Sequence, residues 1–403
     1  MHELARFGLI VFGVAAAGLC AIGSTRVAGW IRVPAGAFFL LGAAAASDLF
    51  PGLGTLSTTS VERIASVALA VILFDGGLRS GWRRVRRAWV PVVSLGLAGT
   101  FLTAGLMAVA ARYALGFSWT TAGLIGAAVA PTDPAIMFSI LGRWEITGRV
   151  GTILEGESGA NDPVGIALML VLVDHAAGSG SLVEGALGFL LSLGIGVAVG
   201  VLAGSVLHPL VVRLPLGDQS LGPLRTLMFA LLVFGAASVL HGSGFLAVYL
   251  AGLLITDHEY PGHRATERFH TSLASLAEIV VFVALGLTVS LSFVFSRGIW
   301  LDGIILAALM VLVARPLAIW PLLIPVQTTR NEEAFIVWAG LKGAVPILLA
   351  SFALARGVPD ADKIYAIVFV VVTLSVTLQA AAIPTVARRL GIPMQPLEDE
   401  PWR

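Results

Sequence analysis

An all-α polytopic membrane protein is the fold class this sequence predicts, with about 13 transmembrane helices. Two inverted repeats are expected, with broken helices that cross at mid-membrane. Three observations predict this. Of the 403 residues, 57% are hydrophobic and only 12% charged, against about 25% charged in soluble domains; mean hydropathy is +0.93. Apolar runs of roughly 17 to 25 residues, the length that spans a bilayer, recur from end to end. Two of these runs are interrupted by proline, glycine and a lone charge.

The runs place spans at about 5–23, 34–50, 60–78, 88–112, 118–142, 150–173, 183–207, 223–241, 243–256, 270–291, 300–326, 333–356 and 363–387. The first, in Met1 to Gly23, has the look of a secretory signal. Glu3 weakens its positive flank and further spans come after it, so it is read as a transmembrane helix. Its Cys20 is the single cysteine of the chain, which excludes an intrachain disulfide framework and a cysteine metal cluster. The 46 glycines suit close helix packing, and the short alternating strands of a membrane barrel are not seen. A net charge of +1 without a basic soluble stretch gives no reason to expect nucleic acid. Residues 1–390 thus read as one transmembrane domain, and 391–403 as a short tail too small for a regulatory domain.

The arginines orient the chain. Arg6, Arg63, Arg112, Arg297, Arg356 and Lys363 fall in loops on one side, and nearly all the others fall on the opposite side or in the C-terminal tail. The positive-inside rule then puts the N-terminus outside and the C-terminus in the cytoplasm of a plasma-membrane protein.

The fifth span carries Ala130-Pro131-Thr132-Asp133-Pro134 at its centre, where the two prolines remove backbone donors around a charge. The twelfth carries Gly340-Leu341-Lys342-Gly343-Ala344-Val345-Pro346. With the seventh span as a linker, these breaks occupy the fifth position of each half. Such matched interruptions point to a transporter site.

Between them in sequence lies Gly156-Glu157-Ser158-Gly159-Ala160-Asn161-Asp162-Pro163, in the sixth span. On a helix, Glu157 stacks with Asn161 and Ser158 with Asp162, on adjoining faces. An acid there is costly to ionise without partners and is a functional candidate by default. Glu157 and Lys342 are read as a core ion pair that fixes helix positions, and Glu278 with Arg315 as a second structural pair. Asp162 is then left without a dedicated cation, so that a proton or a small cation would neutralise it. Thr132 and Ser158 are candidate oxygen ligands beside Asp133 and Asp162, and Asn161 a tie between the broken helix and the sixth span. Asp133 is open to a structural role, as a cap on the second half-helix, and to a functional one. Asp75, closing the third span, is a helix end near arginines or a site residue. All seven histidines fall near span ends or in loops and read as solvated.

With these residues in hand, the chain resembles the monovalent cation/proton antiporters of the CPA1 group, the NhaP-like family. Glu157-Ser158-Gly159-Ala160-Asn161-Asp162-Pro163 is most similar to its potassium/proton antiporter, cell-volume-regulation branch. The resemblance implies a homodimer whose protomers each have a dimerisation domain and a six-helix core, the core drawn from about 60–173 and 270–387 less the dimerisation helices. It implies that Asp162 alternately holds H+ and the transported Na+ or K+. It further implies that Asn161 marks electroneutral exchange and that Asp133, Thr132 and Ser158 share the ion site. Glu157 and Lys342 match a core ion pair whose usual base is arginine, and Asp75 stands where relatives often have glutamate.

Two other classes share some of these features. A cation channel would show a repeated filter or a ring of carboxylates, and neither is present. Gly156-Glu157-Ser158-Gly159 fits the surroundings of an intramembrane serine nucleophile, but that chemistry needs a histidine base and no span has one at its centre. Without a His-Glu-x-x-His motif or a Walker loop, no enzyme activity and no cofactor is expected. Residue identity leaves the choice between Na+ and K+ open.

Overall fold

The computed structural model describes residues 34–50, 57–141, 144–213, 218–256 and 263–396, with Leu19 and Gly23. The expected first span lies, but for those two residues, outside the described residues, as does the end of the tail. Every later expected span falls on a helix or on a broken pair of helices. In order these are α1 (Ala35–Leu49), α2 (Thr58–Ser80), α3 (Trp89–Leu115), α4 (Trp119–Val129), α5 (Pro134–Leu141), α6 (Arg149–Ala176) and α7 (Leu182–Val212). There follow α8 (Gly222–Val239), α9 (Gly244–Ile255), α10 (His263–Gly286), α11 (Ile299–Leu323), α12 (Arg330–Trp338), α13 (Ala344–Ala355) and α14 (Ala361–Leu390). Among the described residues, 6 helices are long and apolar enough to cross a membrane: α3, α7, α8, α10, α11 and α14. α2 and α6 are as long but carry more polar residues, of which Asp75, Arg79, Ser80, Glu155, Ser158 and Asp162 line the site.

Helix starts are written locally. Ser57, Ser118, Ser181, Ser243 and Thr329 each accept a hydrogen bond from the backbone N–H three residues on. Glu184 and Glu332 reach back to complete capping boxes at α7 and α12. Gly116 and Gly391 end α3 and α14 in the left-handed conformation.

The breaks lie where the prolines and glycines predict them, at 130–133 between α4 and α5 and at 339–343 between α12 and α13. They meet directly, because the Asp133 backbone N–H donates to the Leu341 carbonyl at 2.8 Å. A second matched feature appears in the helices just before the breaks. α3 contains a π-type turn at Ser94–Gly99 and α11 one at Met310–Ala314, so the fourth span of each half carries the same irregularity. Such turns insert a residue into the helix and re-aim the side chains beyond it.

Packing sorts the helices into two groups. α2 packs on α9 and α10, α9 on α7 and α8, and α10 on α1. α3 packs on α4, α11 on α14, and α13 on α14, with α6 touching both groups. One element was not expected. Trp144–Ile146 and Met394–Pro396 form a two-stranded antiparallel ribbon pairing Trp144 with Pro396 and Ile146 with Met394. The start of the tail is therefore folded back onto the loop after α5. Two histidines correct the reading of all seven as solvated. His208 and His270 are 2% and 0% exposed, because α7 and α10 extend beyond the expected spans and enclose them. His208 packs on Phe229, and His270 between Phe74 and Phe269.

Candidate transport site

The two breaks leave half-helix ends inside the protein, and each C-terminal end exposes carbonyls that need donors. Lys342, fully buried, sends its Nζ to the carbonyls of Ala130 and Pro131 at 2.8 and 2.9 Å, at the end of α4. Arg315 does the same for α12, donating from Nε to the Val337 carbonyl and from Nη2 to that of Ile336, both at 3.3 Å. Gln379 adds a bond from Nε2 to the Trp338 carbonyl at 2.7 Å, and Ser375 accepts the Lys342 backbone N–H at 2.9 Å. A cation at a helix C-terminus also opposes the negative end of the helix dipole.

This arrangement corrects both expected pairs. Glu157 pairs with Arg315, not Lys342: Nη1 reaches Oε1 at 2.6 Å and Nη2 reaches Oε2 at 3.1 Å. The guanidinium fork suits a bidentate carboxylate contact, which an ammonium cannot make. Arg315 is therefore not the partner of Glu278. Glu278 instead lines the same cavity as Asp162, with Asp133 and Arg79 as its charged neighbours.

α6 clamps the first break. Asn161 accepts the Thr132 backbone N–H at 3.3 Å and donates from Nδ2 to Thr132 Oγ1 at 2.7 Å. Ser158 donates its hydroxyl proton to the Thr132 carbonyl at 2.7 Å. Both hydroxyl oxygens keep a lone pair for a cation. Asp133 sits against Gly343 at the start of α13, so closely that a methyl group at 343 would overlap its carboxylate.

Asp162 is 5% exposed. Its Oδ1 is buried without a hydrogen-bond partner. It lies on the wall of a cavity of about 480 Å³ that Asp133, Ser158, Asp75 and Glu278 also line. Lys342 is the nearby base, but its ammonium is held by the two α4 carbonyls. Asp75 is engaged otherwise: Arg79 meets its Oδ2 at 2.5 Å, and Thr271 donates to Oδ1 at 3.2 Å. The cavity thus gathers Asp75, Asp133, Ser158, Asp162 and Glu278 from the third, fifth, sixth and tenth spans, while Thr132 and Asn161 are not on its wall and Glu157, Lys342 and Arg315 hold the helices behind it. Arg79, Arg84, Trp144 and Glu267 line it as well, at the helix ends from which the arginine-rich loops leave. Among the described residues no histidine lines it, and the Ser158 proton is committed to a carbonyl, so a serine nucleophile has no base there. Tyr249, also on the wall, was not singled out from the sequence. It lies in an apolar run, where no pattern separates it from a packing residue.

Comparison with known proteins agrees with this architecture. Residues 8–389 match the family model described as "Sodium/hydrogen exchanger, transmembrane". The chain is 36% identical over 406 aligned positions to a K(+)/H(+) antiporter NhaP of Alkalimonas amylolytica, covering 99% of this chain and 70% of that protein. It is 34% identical to a K(+)/H(+) antiporter NhaP2 of Shewanella oneidensis, covering 89% of this chain and 63% of the relative. The chain therefore spans about two thirds of the length of these relatives. A low-affinity Na(+)/H(+) antiporter NhaS1 of Synechocystis is 26% identical over 86% of the chain and 68% of its own length. Among solved structures, the sodium proton antiporter MjNhaP1 of Methanocaldococcus jannaschii superposes with a TM-score of 0.77 at 23% identity, covering 92% of this chain and 99% of that one. A match across nearly its whole length, with a 36% identical relative, means that this chain belongs to the sodium/hydrogen exchanger family.

Proposed function

We propose that this chain is a secondary active transporter, not an enzyme, that exchanges a monovalent cation for H+ by competitive binding at Asp162. The observation that carries the reading is a buried carboxylate oxygen, without a hydrogen-bond partner, on the wall of a cavity. Lys342 is spent on the α4 carbonyls, Arg315 on Glu157 and the end of α12, and Arg79 on Asp75. A carboxylate so placed is neutralised by what enters the cavity. Na+ and K+ take hard oxygen ligands; Ser158 and Asp133 line the same cavity, and the Thr132 hydroxyl is held by Asn161 in the break that Ser158 also clamps. A bound proton and a bound cation exclude each other, since both use the one negative charge. If only the neutralised site crosses the dry barrier, one is traded for the other. With Asn161 uncharged, the exchange is electroneutral.

Alternating access moves the breaks and α6 as a unit against the group built on α2, α7, α9 and α10, in a homodimer in the plasma membrane with its C-terminus in the cytoplasm. The names of the NhaP and NhaP2 relatives favour K+, and that of NhaS1 leaves Na+ in view.

The test is dequenching of a pH dye in proteoliposomes on addition of K+, Na+ or Li+. Saturable exchange without current is expected, and its loss in Asp162→Asn with the protein still folded. Exchange that survives Asp162→Asn removes that residue from the mechanism, and conductance that does not saturate restores the channel.

A further inference from the structure

The cavity wall holds a second buried oxygen that the proposed exchange cycle does not use. Tyr249 of α9 is 3% exposed, lines the cavity with Asp162, and its hydroxyl has no hydrogen-bond partner. Buried phenols usually find one. The neighbouring Ser80 hydroxyl gives its own proton to the Gly76 carbonyl at 2.8 Å, so it could only accept from the phenol, and the lone pairs of Tyr249 Oη stay unused. Two buried oxygens without a hydrogen-bond partner, Asp162 Oδ1 and Tyr249 Oη, thus belong to residues that line one cavity from two helices.

The packing brings them to the same turn. The Tyr249 ring and hydroxyl press on Gly159 of α6, where a methyl group would overlap them. Asp162 comes three residues later. Helical side chains lean toward the N-terminus, and residues three apart are neighbours on one face. The Asp162 carboxylate therefore leans over the turn that Tyr249 touches. Pro163 has no N–H to give, so the Gly159 carbonyl in that turn loses its helical donor. Tyr249 itself is fixed from behind. Its backbone carbonyl packs on Gly77 so closely that only glycine fits, which ties its backbone to α2.

We propose that Tyr249 Oη is an oxygen ligand of the monovalent cation held at Asp162 when the cavity faces the arginine-rich side; this rests on the proposed exchange at Asp162. A phenol oxygen replaces one water of the ion's hydration shell and adds no charge, so it helps the cation and leaves the proton unaffected. Because α9 packs far more on α2, α7 and α8 than on α6, the ligand stays behind when α6 moves. Cation affinity then falls as the site leaves this side.

The measurement is the half-saturating concentration of KCl and of NaCl in proteoliposomes for Tyr249→Phe, which keeps the ring on Gly159. We expect it to rise roughly three- to tenfold, the size of one lost polar contact, with the maximal rate within about twofold. The shift in melting temperature caused by the cation shrinks in parallel. Ser80→Ala should saturate like the unaltered chain. Unchanged half-saturation in Tyr249→Phe overturns the assignment. So does an equal rise in Ser80→Ala, which makes the phenol a structural partner of Ser80. Exchange persisting in Asp162→Asn brings down the exchange reading itself; an inactive Asp162→Asn beside an unaltered Tyr249→Phe brings down the ligand alone.

Discussion

Arg315 does two things at once: it neutralises Glu157 and caps two carbonyls of α12. Both groups are nearly fully buried, with side chains 4% and 2% exposed. Removing one partner of such a pair leaves a charge stranded, at a cost of about 3–5 kcal/mol. Glu157→Ala and Arg315→Ala should therefore each lower the melting temperature sharply in detergent. The double change Glu157→Leu with Arg315→Met strands no charge and should recover part of that loss, but not all, because the α12 carbonyls stay uncapped. Full additivity of the single losses would mean that the two residues do not act as a pair. These residues also mark where the sequence stops being legible. That Glu157, Lys342 and Arg315 are buried ions was readable from their apolar surroundings, but their partners were not. A carbonyl pair satisfies an ammonium as a carboxylate does, and the carbonyls of Ala130 and Pro131 exist as acceptors only because the helix breaks there. The aim of Arg315 depends on the π-type turn at Met310–Ala314 just before it, which no residue pattern announces. Asp162 was legible for the opposite reason, since its environment is defined by what is missing.

At the scale of elements, two interrupted helices are locked at their crossing by one backbone hydrogen bond, the two Lys342 bonds to Ala130 and Pro131, and one close approach. Prolines and glycines announced both breaks, because each removes a donor or a side chain that a continuous helix needs. Their contact was expected from position alone. Gly343 is the residue on which the approach depends, as a methyl group there overlaps the Asp133 carboxylate. Gly343→Ala should push Asp133 off the start of α13 and reduce exchange by an order of magnitude or more, while helix content by circular dichroism is kept. Gly105→Ala in α3, where a methyl group meets nothing within 4 Å, is the matched control and should be silent. Unaltered exchange in Gly343→Ala would show that the crossing tolerates a gap the size of a methyl group. The ribbon of Trp144–Ile146 with Met394–Pro396 lay beyond sequence reading, since its strands are three residues long and far apart in the chain.

For the whole molecule, the decisive property is that one cavity reaches Asp162 from one side. Its wall includes Arg79 and Arg84, at the face that the proposed topology makes cytoplasmic. Ser275 is an exposed residue of this wall, whereas Ser179 is exposed just past the end of α6, at the opposite face. Since Cys20 is the single cysteine, Cys20→Ser provides a background for Ser275→Cys and Ser179→Cys. A membrane-impermeant maleimide should label Ser275→Cys in inside-out vesicles on the order of tenfold faster than in intact cells, if charge bias sets topology. Ser179→Cys should show the reverse. Equal labelling of Ser275→Cys from both faces means a continuous pore, and the channel reading returns. Labelling of both variants in the inverted order means the chain is inserted the other way. In that case the acid would be loaded from outside in this conformation, and the arginine bias would have failed as a guide to topology.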